Sequence, residues 1–117
     1  MSFGEYFKNL RTSKHKTQAE IAEMINKTTM LVCGVEKGKN GPFSDEDLKK
    51  ISKELDLSEK EKQELFIQAA IAHRGIPEHL FLYMKEAQNA YSLLYILDKK
   101  GYKNKDIERL IDELEEK

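Results

Sequence analysis

The sequence predicts an all-α fold, five short helices followed by a two-helix C-terminal extension. Two kinds of signal predict it. The capping pattern Ser/Thr-x-x-Glu stands at Ser2, Thr17 and Ser58, where hydroxyl and carboxylate can satisfy backbone N–H groups left free in a first helical turn. The apolar residues that follow recur at spacings of three and four, the period of one helix face. Composition agrees: the 117 residues are 35% charged and 39% hydrophobic, with no Trp and only 2 Pro. A chain of this size is one domain by default and can bury roughly two-thirds of its unfolded surface.

Taken in order, the first helix carries Phe3, Tyr6, Phe7 and Leu10 and runs to about Ser13. The second begins at the Thr17 cap, presents Ile21, Ala22 and Ile25, and ends near Asn26, a residue type that tolerates left-handed backbone angles. Thr28 caps a third helix over about 28–37, which Gly38 stops. Asn40-Gly41-Pro42 is a turn signal. Ser44 then caps a fourth helix, with Phe43 and Leu48 placed as a hydrophobic staple and Leu48, Ile51, Leu55 and Leu57 as its apolar stripe. The fifth starts at Ser58, carries Leu65, Phe66, Ala69 and Ala72, and stops at Gly75. Pro77 suits the first turn of a long sixth helix, whose stripe includes Leu80, Met84, Tyr91, Leu94 and Leu97 opposite Lys85, Gln88, Ser92 and Lys99. Gly101 breaks it, and a last helix from about Asn104 shows Ile107, Leu110, Ile111 and Leu114.

Charge is unevenly placed. Through Phe43 there are seven Lys/Arg against four Asp/Glu, and from Ser44 onward 13 against 17, for a net charge of -1. A mildly basic first half is compatible with binding nucleic acid through one end. No apolar run is long enough to cross a bilayer and no secretory pattern opens the chain, so the expected location is cytoplasmic, with no membrane partner. Cys33 is the only cysteine, and no Cys/His cluster has zinc spacing, so neither an internal disulfide nor a metal is expected. His73 and His79 lack a carboxylate or cysteine at ligand spacing. With no phosphate loop and no nucleophile motif, the chain is read as a non-enzyme that needs no cofactor.

The run TQAEIAEMINKTTMLVCGVEKGK, Thr17 to Lys39, resembles the Xre/Cro-type helix-turn-helix family of phage repressors and bacterial regulators. With the flanking helices the resemblance covers about residues 1–75, leaving 76–117 as an extension. It implies a five-helix repressor-like DNA-binding domain and assigns positions within it. Ala22 is the small residue that lets helices 2 and 3 pack closely, and Ile21, Ile25, Val32 and Val35 are buried. Thr17 and Gln18 lie at the helix-2 N-terminus that grips phosphate. Thr28, Thr29, Met30, Cys33 and Gly34 face the major groove, with Lys37, Lys39 and Asn40 near the DNA backbone. Glu36 pairs with Arg11 of helix 1 as a structural ion pair.

The implied function is a sequence-specific, DNA-binding transcriptional regulator of the repressor kind that inserts helix 3 into double-stranded DNA as a homodimer. Pairing two half-sites is the usual way for a small module to reach useful affinity. The chain departs from the family at Met30, Cys33 and Gly34, which replace long polar readers and leave no bidentate contact to guanine or adenine. That departure supports an alternative, a repurposed helix-turn-helix that binds a protein partner as a phage-type inhibitor or antitoxin does. Gly34 also costs roughly 1 kcal/mol against Ala in mid-helix, so either something approaches it closely or the position is unoptimised. The stripe Leu80, Met84, Tyr91, Leu94 and Leu97 is wider than the one short helix after it can cover. Its remainder meets helix 5 or a second chain, and the two-fold chain is taken as the dimer interface.

Overall fold

A computed structural model describes residues 1–117, helices and connecting turns without a strand. The chain divides into two compact units, Met1–Glu78 and His79–Lys117. The first contains α1 (Phe3–Ser13), α2 (Gln18–Met24), α3 (Thr29–Glu36), α4 (Asp45–Glu54) and α5 (Glu59–Ala72). The second is built from α6 (Glu78–Glu86), α7 (Asn89–Lys99) and α8 (Asn104–Glu115). No helix is long and apolar enough to cross a membrane.

Each helix of unit 1 begins on a hydroxyl cap. Thr17 and Ser58 form complete capping boxes: the hydroxyl accepts from the N–H of Glu20 or Glu61 at 3.1 Å, and the carboxylate accepts back from the cap N–H at 3.0 Å. These bonds hold both Glu carboxyls below the usual carboxylate range, the backbone bond being the largest cause. Ser2, Thr28 and Ser44 supply the hydroxyl half alone. Satisfying these otherwise free donors fixes where each helix starts.

Helix ends are closed with equal regularity. After α1, α2, α4 and α5 a non-glycine residue adopts left-handed geometry, His15, Asn26, Asp56 and Arg74, with φ of 51–58°. The next N–H then reaches back, Lys16 to Arg11 at 3.2 Å, Lys27 to Ala22 at 2.9 Å, Leu57 to Ser52 at 3.0 Å and Gly75 to Ala70 at 2.8 Å. Gly75, expected to stop helix 5, is therefore the closing donor, and Arg74 takes the strained position. The left-handed backbone costs an ordinary residue about 1–2 kcal/mol, part of which glycine returns as unfolded-chain entropy. Replacing exposed His15 with Gly is expected to stabilise the chain by about 0.5–1 kcal/mol, read as a higher denaturant midpoint at unchanged slope.

The capped helices bring their apolar faces to one core in unit 1: Phe3 and Phe7 of α1, Ile21, Ala22 and Ile25, Val32 and Val35 of α3, Phe43, Leu48, Ile51 and Leu55, then Leu65, Phe66 and Ala69 of α5. Phe43 meets Phe7 edge to face, centroids 4.8 Å apart, a favoured aromatic arrangement. Two ion pairs tie further elements together. Lys27 reaches the buried Asp47 carboxylate of α4 at 2.7 Å, and Lys14 reaches Glu61 of α5 at 3.0 Å.

Unit 2 departs from expectation. The extension has three helices, because the long sixth helix is interrupted at Ala87-Gln88. The Gln88 side-chain amide donates to the Lys85 carbonyl at 3.2 Å, the acceptor that the N–H of residue 89 would use in a continuous helix. The chain tightens into bonds from Ala90 to Ala87 at 2.9 Å and Tyr91 to Gln88 at 3.0 Å, the 3₁₀ pattern. The expected polar residues Lys85, Gln88, Ser92 and Lys99 are exposed. Leu93, Tyr95 and Ile96, off the stripe, are each half exposed or more, so exposed apolar side chains also flank the Ser92–Lys99 face of α7. Met84, expected at a dimer interface, is buried within the chain; Leu97 is half-buried, and Leu80, Tyr91 and Leu94 are exposed.

Candidate functional site

The site begins with a lock between α1, α2 and α3. Arg11, in the last turn of α1, and Glu36, the last residue of α3, are both buried. The Arg11 Nε donates to Oε2 of Glu36 at 2.7 Å and Nη2 to Oε1 at 3.0 Å, a two-bond fork that fixes both side chains. Nη1 donates to the Lys16 carbonyl at 2.8 Å. The hydrogen bonds to Glu36 raise the Arg11 guanidinium further above its already high range, against the opposing effect of burial.

Gln18 joins this lock. Its Nε2 donates to Oε1 of Glu36 at 3.0 Å, joining the start of α2 to the end of α3. An amide nitrogen carries two hydrogens, so the second remains for an acceptor outside the chain. Thr17 is exposed next to it, its hydroxyl occupied by the Glu20 N–H. The lock therefore presents the first turn of α2 with one uncommitted donor.

A second close approach sets the same geometry. Gly4 of α1 is buried, and a Cβ built on it would stand 2.6 Å from the Val35 carbonyl oxygen and 2.7 Å from the Glu36 carbonyl carbon. The absence of a side chain lets α1 rest on the end of α3. Motif reading passes over Gly4, since a glycine inside a helix pattern signals only lowered propensity until the opposing backbone is known.

On its outer side α3 and the following loop line an open depression of about 530 Å³, bounded by Thr28, Met30, Leu31, Cys33, Gly34, Lys37, Lys39 and Asn40. Seven of the residues expected to face DNA are thus brought to one surface. Thr29 is exposed at the first turn of α3 without lining the depression, and Thr17 and Gln18 stand on α2. Leu31 is the addition: it packs on the core while its edge lines the floor. Periodicity alone could not divide it between the two.

Gly34 has a structural reason. The N–H groups of Lys39 and Asn40 donate to its carbonyl at 2.9 and 3.1 Å, folding the loop back over α3. A Cβ at 34 would collide with the Asn40 side-chain amide. Of the two readings of this glycine, close approach is the one observed, and the approaching group comes from within the chain.

The charge of the depression is one-sided. Lys37 and Lys39 are exposed and belong to none of the ion pairs of the chain. No carboxylate lines the surface. Met30 stands 82% exposed at its edge, and the Cys33 thiol is free and half-buried. Elsewhere, no group of three His, Cys, Asp or Glu is placed to hold a metal ion. Comparison with family models, curated proteins and solved structures finds no match.

Proposed function

We propose that the chain is a DNA-binding transcriptional regulator of the Xre/Cro type, a repressor that acts as a homodimer with α3 in the major groove. The observation that carries this reading is the outer face of α3. Its only charges are the unpaired Lys37 and Lys39, and the locked α2 N-terminus offers a free Gln18 donor. Phosphates demand cations and N–H donors held in fixed relative positions. Gln18, Thr28, Lys37 and Lys39 then fix the register on the backbone. Base discrimination falls to Thr28, Thr29 and Met30, which can touch thymine methyl groups, and to DNA shape.

Lys39→Ala tests the phosphate role. The substitution is expected to weaken binding to all duplex sequences alike and to flatten the slope of log affinity against log salt by about one unit. An unchanged slope removes Lys39 from the contact set. A second reading, binding of a protein partner through the same face, is favoured by one observation: the long apolar side chain of Met30 is almost fully exposed at the centre of the motif. Under that reading Met30→Ala abolishes partner capture while Lys39→Ala leaves any residual DNA affinity and its salt slope unaltered.

A further inference from the structure

We propose that a second copy encloses α6 and α7 on more than one side, through its equivalent helices, instead of pairing with them through one stripe. The inference rests on the homodimer reading above and goes beyond it in specifying how the copies meet. Successive residues of a helix are turned by about 100°. Leu80, Phe81, Leu82 and Tyr83, four in a row on α6, are 41–63% exposed, and Leu93, Leu94, Tyr95 and Ile96 on α7 are 50–75% exposed. Four consecutive positions point all the way round a helix, so no single flat partner face can cover either one. The exposed polar residues, Lys85 and Glu86 of α6 and Ser92 and Lys99 of α7, stay in solvent on the sides such a two-chain bundle leaves open.

Unit 2 does not supply that cover by itself. Among α6, α7 and α8 no pair is in extensive contact. Amphipathic α8 offers one apolar side, and its Ile111 and Leu114 remain 49% and 72% exposed.

A second copy is the occupant the quantities fit. Nine large side chains of α6 and α7 are 38–75% exposed. Such side chains offer on the order of 200 Å² each when fully exposed, which leaves on the order of 900 Å² per chain against the ~800 Å² per partner of a standard interface. Unit 2 carries seven Lys/Arg and eight Asp/Glu, so two copies approach without net repulsion of consequence. A second copy also brings a second α8, doubling the one-sided cover that a single chain possesses.

Two full-length variants separate enclosure from a one-faced dimer. Leu94 lies on the stripe with Tyr91 and Leu97, whereas Ile96 is turned about 200° from it, on the opposite side of α7. Lys is a good helix former, so neither Leu94→Lys nor Ile96→Lys removes the helix itself, and circular dichroism verifies this. Sedimentation equilibrium is expected to show a wild-type dimer and at least ~30-fold weaker association for both variants. A dimer that loses Leu94→Lys but tolerates Ile96→Lys overturns enclosure and leaves the homodimer reading standing. A wild-type dimer indifferent to both places the interface elsewhere and overturns enclosure as well. A wild-type chain that is monomeric at tens of micromolar overturns both.

Discussion

Arg11→Ala is expected to lower the unfolding free energy by about 3–5 kcal/mol, the loss found when one partner of a buried ion pair is removed. The Glu36 side chain is only 3% exposed, so water cannot replace the two guanidinium bonds it loses. Gln18 alone remains as a side-chain donor to it. The Lys16 carbonyl, in the turn that follows α1, loses its guanidinium bond as well. Arg11→Lys restores a charge without the planar fork and is expected to recover only part of the loss. Replacing Arg11 and Glu36 together with Met and Leu leaves no stranded charge and is expected to be close to neutral for stability. Urea titrations of the three variants check the series; a wild-type midpoint for Arg11→Ala contradicts a buried role for the pair.

Gly4→Ala is expected to cost about 3 kcal/mol, from a single methyl group. The obstacles are the backbone carbonyls of Val35 and Glu36, which have no rotamer to change, so the whole of α1 must move off α3. That displacement lengthens the Arg11–Glu36 bonds, which join the other end of α1 to the same last residue of α3. The two substitutions therefore share a mechanism, and Gly4→Ala with Arg11→Ala is expected to cost less than the sum of the single losses. Gly34→Ala is the instructive contrast. Its collision is with the mobile end of the Asn40 side chain, which can swing away, so stability is expected to change by less than about 1 kcal/mol. Additive losses at Gly4 and Arg11 count against a common lock.

Unit 1 is legible in the sequence where local chemistry decides structure. Thr17, Thr28, Ser44 and Ser58 stand as caps with their hydroxyls bonded as expected. Phe7, Ile21, Val32, Leu48 and Leu65 are fully enclosed, because helical spacing assigns them to one face each. What escapes is non-local. The Lys27–Asp47 pair joins residues 20 apart in sequence, and Gly4 has meaning only against the carbonyls of α3. The Gln18 amide, read from its motif position as a phosphate donor, is observed as a structural partner of Glu36, which no spacing rule reveals.

Unit 2 is read less well for a related reason. The break at Ala87-Gln88 separates Leu80 from Tyr91, Leu94 and Leu97 of α7, and Leu93, Tyr95 and Ile96 beside them are apolar too. Where apolar positions also lie outside the stripe, periodicity cannot bound the buried face. At the break the Gln88 side-chain amide bonds the Lys85 carbonyl, which composition does not foretell.

Selection of bound fragments from random duplex DNA by the purified full-length chain decides whether the α3 face reads DNA. Enrichment of an inverted repeat whose half-sites lie about one helical turn apart is expected, with affinity falling steeply as salt is raised. A pool that stays unenriched after repeated rounds, with no salt-dependent retention of any duplex, contradicts the claim that the α3 face reads DNA.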